Sequence, residues 1–295
     1  MDMPSDYNYD YSMERKLREL SPELHGRFTE AVFGLQHVLS NYKLIFPEYT
    51  DHTELHSLNV IDFCNQLIGD QIEKMNADEI YSLLMGCYFH DTGMGISLKD
   101  YEEFSTQIDF GDFFDTHSRD DLAEAIRAFH NEYSGLFIKK YAEFFEIPSK
   151  EHLWGIVQIS RGHRKTPLLD TQQYPPDYKV PGGNTISLPY LAALIRLADE
   201  IDVAARRNTK LLYDLEDIMD PIEIEEHKKL GAVKELIVEE KAFTLIVKTD
   251  EPHVLEGVQK IAGKMQKTLD ICRETVAKRT PYVITQEKVI FSVQE

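Results

Sequence analysis

Histidines and aspartates in apolar surroundings are the residues of this sequence that point most directly to chemistry. The chain has 295 residues and 11 histidines, and His90 and Asp91 are adjacent. Imidazole and carboxylate groups together suit Mn, Fe, Zn, Ni or Co ions better than Ca or Mg. Six residues with these side chains form the candidate metal centre: His56, His90, Asp91, His130, His163 and Asp199.

The positions of these six residues in the predicted helices favour a shared site. Asp91 lies one turn after Cys87, and Asp199 lies one turn after Ile195, so both carboxylates fall on apolar helix faces. A carboxylate there is costly unless it is paired or bound to a metal. A lone histidine on such a face is usually a hydrogen-bonded core residue, which is our interpretation of His152. Six ionisable residues on five predicted helices, however, indicate convergence on one point.

Capping residues and apolar periodicity predict a mostly helical chain. Ser21-Pro22 begins a long amphipathic helix that ends near Phe46-Pro47, and Gly69 ends the helix after it. Residues 96–117 and 164–186 lack a strong helical period and are predicted to be loops, and the first dozen residues are predicted to form a loose arm. Further helices are predicted to begin after the capping residues Thr53, Asn76, Ser118, Ser149 and Ser187.

The pattern changes after about residue 213. Residues 233–239 and 243–249 are short β-branched runs separated by Glu240-Lys241, which predicts a hairpin. A helix is predicted over residues 254–277 and a last strand over residues 288–293. The predicted fold class is therefore mainly α, with a helical domain over residues 1–212 and a small α+β domain over residues 213–295.

The charge of the chain narrows the classes of partner. Lys and Arg number 32 against 51 Asp and Glu, a formal net charge of -19. Because such a surface repels phosphates at long range, it disfavours extended nucleic-acid binding. The three cysteines form no C-x-x-C pair, which fits a reducing compartment. No signal peptide or long apolar run is evident, so we expect a cytoplasmic protein without a membrane segment.

The order of the six candidates resembles a known pattern. Along the chain the candidates follow the order histidine, His-Asp, histidine, histidine, aspartate. This order resembles the HD-domain superfamily over residues 48–205, and so do the flanking sequences His90-Asp91-Thr92-Gly93 and Leu197-Ala198-Asp199. Three contexts resemble its HD-CE subgroup, which is found beside chaperone-like ATPase modules: Thr50-Asp51-His52, Arg127-x-x-His130 and Arg161-Gly162-His163. The resemblance implies an HD-type helical bundle and leaves the C-terminal α+β segment outside the match.

The resemblance also implies a ligand set and an activity. His56, His90, Asp91 and Asp199 correspond to the first metal site, and Asp91 would bridge to a second ion held by His130 and His163. Arg164 stands where HD-GYP relatives carry a further histidine, which argues against a third ion. The expected cofactors are two divalent transition-metal ions (Mn, Fe, Ni, Co or Zn). The expected activity is hydrolysis of a small phosphomonoester or phosphodiester, nucleotide-like, by a metal-activated hydroxide.

Several further residues are candidates for supporting roles. Arg164 and Lys165 follow His163 directly and are predicted to contact substrate phosphate, although solvated surface cations fit them equally well. His52 lies one turn before His56 and is expected to support the metal ligands or to transfer a proton; a surface histidine is the other interpretation. Asp202 orients a ligand or balances local charge. Arg206-Arg207 are weaker phosphate-binding candidates.

Two other functions remain open on the same residues. The four histidines and two aspartates resemble the mixed-valent diiron site of inositol oxygenase, and tightly bound iron with oxygen uptake would favour that class. A non-catalytic, nucleotide-sensing or regulatory HD module would bind a nucleotide without hydrolysing a phosphoester. The helix predicted from Val254 mixes apolar and basic residues and is a candidate homodimer surface.

Overall fold

The structure, a computed structural model, describes residues 10–47, 52–118, 122–203 and 221–294. It confirms a mainly α fold with a small α+β part at the C-terminal end. The helices in this part of the chain are α1 (Ser12–Leu20), α2 (Pro22–Ser40), α3 (Glu54–Ile68), α4 (Ala77–Phe89), α5 (Leu98–Ser105), α6 (Phe113–Thr116), α7 (Leu122–Lys140), α8 (Lys150–Gly162), α9 (Leu188–Ile201), α10 (Pro221–Ala232) and α11 (Pro252–Arg279). The strands are β1 (Tyr178–Lys179), β2 (Thr185–Ile186), β3 (Val233–Val238), β4 (Ala242–Val247) and β5 (Lys288–Val293).

Helix α4 is the centre of the helical bundle. It begins with a capping box in which the Asn76 side chain accepts from the backbone of Glu79 and the Glu79 side chain accepts from Asn76 N–H. Every residue from Asp78 to Phe89 is buried, because α1, α2, α3, α8 and α9 all pack against the helix. A helix that is apolar on every side is stable only in such a core. The helix therefore ends at a fixed point, and His90 and Asp91 follow it there.

The C-terminal elements pack on the bundle through α11. Strands β3, β4 and β5 form one sheet in that order, with β3 and β4 antiparallel and β4 and β5 parallel. Helix α11 contacts α9, α10 and β5. The segment before β5 is tied to the bundle by a hydrogen bond from Tyr282 Oη to Glu79 Oε2 of 2.9 Å. The domain boundary predicted after residue 212 lies outside the described residues, so it stays a prediction.

Most of the predicted elements are confirmed, and four segments need correction. The side chains of Ser21, Thr53 and Ser149 accept hydrogen bonds at the starts of α2, α3 and α8, as predicted. The sequence missed α1 and α10, and residues 96–117, predicted to be a loop, contain α5 and α6. The loop predicted over 164–186 includes the antiparallel ribbon β1–β2. Of the described helices, none is long and apolar enough to cross a membrane.

Helix α5 shows why the loop prediction failed. Ser97 caps the helix by accepting from Asp100 N–H at 3.2 Å, but the helix has only eight residues. So short a helix is marginal by itself and depends on tertiary contacts. Those contacts include a hydrogen bond from Tyr101 Oη to the carbonyl oxygen of Gly93 of 2.8 Å. The periodicity of eight residues carries no information about such a partner.

Candidate metal centre

The structure brings the six sequence candidates together from five helices. His56 lies in the first turn of α3, and His90 and Asp91 follow the end of α4. His130 lies within α7, His163 caps the C-terminal end of α8, and Asp199 lies in the last turn of α9. All are buried except Asp199, whose side chain is 24% exposed and forms the most accessible wall of the cluster.

One half of the cluster is formed by His56, His90 and Asp199. The Nε2 atoms of His56 and His90 are 3.1 Å apart, and His56 Nε2 lies 3.2 Å from Asp199 Oδ1. Asp91 Oδ2 lies 3.4 Å from each of the two Nε2 atoms. These four residues are the set that the family resemblance implies for the first metal site.

The other half is formed by His130 and His163 around the second oxygen of the same carboxylate. Their Nε2 atoms are 2.9 Å apart. Asp91 Oδ1 lies 3.4 Å from His130 Nε2 and 3.8 Å from His163 Nε2. The two oxygens of Asp91 thus face two separate pairs of histidines, which is the arrangement expected of a bridging carboxylate.

In each of the four histidines, a hydrogen bond from Nδ1, the outer nitrogen, fixes the direction in which Nε2, the inner nitrogen, points. His90, His130 and His163 each direct Nδ1 to the carbonyl oxygen three residues earlier, at 2.7, 3.0 and 2.6 Å. His56 directs Nδ1 to Asp202 Oδ2 at 2.7 Å. Since a carbonyl or carboxylate oxygen accepts, each Nδ1 donates its proton away from the centre, and each Nε2 faces the centre.

The donor set fits metal ions. The paired Nε2 atoms of His130 and His163 are 2.9 Å apart, and those of His56 and His90 are 3.1 Å apart. Two nitrogens bound side by side to one octahedral ion at about 2.1 Å are about 3.0 Å apart, so the spacing suits a shared ion. The ligand atoms of His56, His90 and Asp199 lie within 4.8 Å of one another, as do those of Asp91, His130 and His163, and either group could hold an ion.

The ionisation of these groups also suits cation binding. Burial lowers the pKa of His130 to about 4 and that of His163 well below the ordinary value, so both rings are neutral ligands at pH 7. Burial raises the pKa of the Asp91 and Asp199 carboxyls, but the surrounding histidines more than offset this and hold both pKa values below the usual range. The centre therefore offers anionic oxygens and neutral nitrogens together.

The turn after Asp91 is locked to α7 by Ser134, a residue that the sequence analysis missed. Ser134 Oγ donates to the carbonyl oxygen of His90 at 2.7 Å and accepts from Gly93 N–H at 2.8 Å. A Cβ at Gly93 would lie 2.2 Å from the carbonyl oxygen of His130. The glycine thus allows the turn that carries His90 and Asp91 to approach the helix that carries His130.

This close approach predicts a large effect of Gly93→Ala on stability. We expect the substitution to lower the free energy of unfolding by about 3 kcal/mol, because the two nearest obstructing atoms belong to the backbone. The matched control is Gly26→Ala in α2, where a Cβ would meet nothing within 4 Å. That control should stabilise the protein by about 0.5–1 kcal/mol. Denaturant unfolding followed by circular dichroism measures both, and equal effects at the two glycines would contradict this role of Gly93.

Asp202 hydrogen-bonds to the outer nitrogen of His56 and is the candidate residue for orienting this ligand. The Asp202 side chain is buried, contacts His56 Nδ1 and accepts from Asn59 Nδ2 at 3.3 Å. We expect Asp202→Asn to weaken metal binding by about 10–100-fold, because the carboxylate orients the imidazole and raises its basicity. Titration of chelator-treated protein with Mn²⁺, measured by calorimetry, gives the change in Kd. An unchanged Kd would show that Asp202 only balances charge.

The other candidate support residues lie at the border of the centre. His52 directs Nδ1 to Asp91 Oδ2 at 2.7 Å, and its side chain is 12% exposed. Arg164 is half-buried and Lys165 is exposed on the turn after His163. Both cations line a groove beside the centre rather than the histidine cluster itself. Arg206 and Arg207 lie outside the described residues.

A buried arginine that the sequence analysis missed holds the turn after His163. Arg196 of α9 donates from Nε to the carbonyl oxygen of Gly162 at 2.7 Å. Its Nη2 donates to the carbonyl oxygen and to Oγ1 of Thr166, at 2.8 and 2.9 Å. An arginine within an otherwise apolar helix was the sequence signal for this role, because a buried guanidinium needs several acceptors.

Comparison with known proteins agrees with this geometry. A helical bundle with ionisable residues in the order His, His-Asp, His, His, Asp defines the HD-type class of protein. The chain matches the HD-CE family over residues 46–282 and belongs to that family. The match extends beyond the 48–205 range of the sequence resemblance and includes most of the C-terminal part, so leaving that part outside was wrong. No curated protein matches the chain at a significant level.

Proposed function

We propose that the chain is a metal-dependent phosphohydrolase whose centre holds two divalent transition-metal ions. The observation that carries the proposal is the placement of Asp91, whose two oxygens face two histidine pairs. His56, His90, Asp91 and Asp199 would hold one ion, and Asp91, His130 and His163 the other. Membership of the HD-CE family supports this class of chemistry.

The residues around the centre would have different roles in the reaction. A pair of divalent ions lowers the pKa of a shared water and neutralises charge on a phosphoryl group. The Nδ1 hydrogen bonds hold each imidazole in one tautomer and orientation, so the ligands need no rearrangement. His52 contacts Asp91 and is partly open to solvent, which suits proton exchange between the centre and water. Asp199 is the most exposed of the six, so we place substrate entry at its side.

The proposed substrate is a small, nucleotide-like phosphoester. With a net charge of -19, the protein repels an extended polyanion, whereas a small anion can reach a local site that carries metal ions and cations. Among the described residues, no carboxylate forms an ion pair with Arg164, whose guanidinium is therefore free to bind phosphate. The half-buried position of Arg164 beside His163 favours this role over that of a solvated surface cation.

The proposal is tested by hydrolysis of p-nitrophenyl phosphate and bis-p-nitrophenyl phosphate by chelator-treated protein with and without added Mn²⁺ or Co²⁺. We expect metal-dependent release of p-nitrophenol from at least one of the two. Oxygen uptake with iron-loaded protein, in the absence of phosphoester hydrolysis, would instead assign the centre to the diiron oxygenases. Tight nucleotide binding without either reaction would assign the chain a regulatory role.

A further inference from the structure

A groove of about 700 Å³ adjoins the His130–His163 side of the candidate centre. Phe129 and Asn131, which flank His130 in the sequence, line it, and so does Arg164, which follows His163. None of the six candidate ligands belongs to its lining. The groove therefore lies beside the centre and shares α7 and the end of α8 with it. Its volume lies in the range of small-molecule sites.

The charge of the groove is opposite to that of the protein as a whole. Its charged lining residues are the cations Arg161, Arg164 and Lys165 and the acids Asp109 and Glu132. Arg161 is already engaged, because its Nε and Nη2 donate to Glu132 Oε1 at 3.1 and 2.8 Å. Within the described residues, the guanidinium of Arg164 and the ammonium of Lys165 make no ion pair. Once Arg161 and Glu132 are paired, the groove retains two cations, Arg164 and Lys165, and one acid, Asp109.

The turn that carries the two cations is held rigidly. Arg196 binds the carbonyl oxygens of Gly162 and Thr166, on either side of residues 163–165. Thr166 N–H also donates to the carbonyl oxygen of Arg164 at 2.8 Å. A fixed turn limits the backbone freedom that would be lost when an anion binds, which favours affinity.

We propose that the groove binds a second, non-reacting phosphate group of the substrate, with Arg164 and Lys165 as its counter-ions. The inference rests on the proposed function, in which the reacting phosphate occupies the metal centre. Both cations line the groove and none of the six candidate metal ligands does, so a phosphate bound in the groove would be distinct from the phosphate that reacts at the metal centre. The ligand is therefore a small molecule with two phosphate groups. Phe129 and Ile108 provide an apolar wall for the part that joins them.

The test uses non-hydrolysable probes with the Mn²⁺-loaded full chain. Alkylene bisphosphonates with three to six carbons are compared with alkyl monophosphonates of the same length by isothermal titration calorimetry. We expect the best bisphosphonate to bind at least about 10-fold more tightly than its monophosphonate, since it gains charge-assisted hydrogen bonds to the two cations. Equal affinities at every length would overturn the proposal.

Charge-removing variants locate the second phosphate. The double variant Arg164→Gln/Lys165→Gln should lose the bisphosphonate advantage, which is measured for each protein against its own affinity for the monophosphonate. The matched control Arg18→Gln/Lys179→Gln removes two exposed cations outside the groove and should keep the advantage. An advantage that survives in the Arg164/Lys165 variant would contradict the assignment of these residues.

Failure of the inference and failure of the proposed function give different results. If the chain hydrolyses p-nitrophenyl phosphate but shows no bisphosphonate advantage, the function stands and the second phosphate site does not. If the advantage depends on Arg164 and Lys165 but no phosphoester is hydrolysed, the groove binds its ligand and the catalytic proposal is wrong.

Discussion

Asp91→Ala is expected to remove both metal ions and to lower the rate of metal-dependent phosphoester hydrolysis by about 1,000-fold or more, which corresponds to about 4 kcal/mol. The reason is that Asp91 supplies an oxygen to each half of the centre, 3.4 Å from the nitrogens of His56, His90 and His130. Elemental analysis by plasma mass spectrometry measures the ions per chain, and p-nitrophenol release measures the rate.

Asp78→Ala provides the matched control for this substitution. Asp78 is also a buried aspartate that contacts a histidine, since its Oδ1 lies 2.7 Å from His152 Nε2. It lies at the opposite end of α4 from Asp91. Loss of the hydrogen bond between Asp78 and His152 should lower stability and leave the metal content unchanged. Full metal content in the Asp91→Ala protein, or equal metal loss in both variants, would contradict a bridging role for Asp91.

The second large effect is a selective one, in which His163→Ala loses one ion and retains the other. His163 Nε2 approaches His130 and Asp91 Oδ1, and neither His56 nor Asp199 lies among its hydrogen-bond partners. We expect the metal content to fall from two ions per chain to one, with hydrolysis lowered by at least about 100-fold, since both ions serve the reaction. Elemental analysis after dialysis against a fixed free Mn²⁺ concentration measures the change.

Asp199→Ala is expected to have the converse effect to His163→Ala. It should also retain one ion, which would be bound on the His130–His163 side. The ion retained by His163→Ala would be bound by His56, His90, Asp91 and Asp199, and the ion retained by Asp199→Ala by Asp91, His130 and His163. Because these two ligand sets differ, the electron paramagnetic resonance spectra of the bound Mn²⁺ should also differ. Identical spectra, or simultaneous loss of both ions in each variant, would show that the two halves do not bind ions independently.

The sequence predicted that the six candidate side chains lie close together, as they do in the structure, and the reason is energetic. A carboxylate such as Asp91 or Asp199 on an apolar helix face is so costly that its position alone indicates a partner. Helix caps were equally readable, because Thr53, Asn76 and Ser149 satisfy backbone groups within three residues of themselves. Both kinds of information are local to a few turns of chain.

Features that depend on contacts between segments far apart in the chain could not be predicted from the sequence. Ser134 is an ordinary helix residue until its side chain meets the backbone of Gly93, 41 residues away. Helix α5 forms in the segment predicted to be a loop because Tyr101 bonds to the same turn. Such pairings follow from the packing of α7 against the turn after α4, and no periodicity in either segment encodes them.

The C-terminal part gives a further example, since the family match includes most of it although it carries no candidate ligand. Helix α11 reaches the helix of Asp199 through Glu200, whose Oε1 lies 3.1 Å from Lys264 Nζ and whose Oε2 accepts from Thr268 at 3.3 Å. Its apolar face, which includes Val258, Met265 and Leu269, is buried. A structural role of this kind leaves only an ordinary amphipathic pattern in the sequence.

The most direct measurement is anomalous X-ray diffraction from crystals of Mn²⁺-loaded protein. Two separate lobes of electron density are predicted about 3.5–4 Å apart, one beside each oxygen of Asp91, with imidazole nitrogens of His56 and His90 reaching the first and those of His130 and His163 the second. Anomalous peaks found only at surface carboxylates, with the four imidazoles free of metal, would contradict the two-ion centre and the hydrolytic function derived from it.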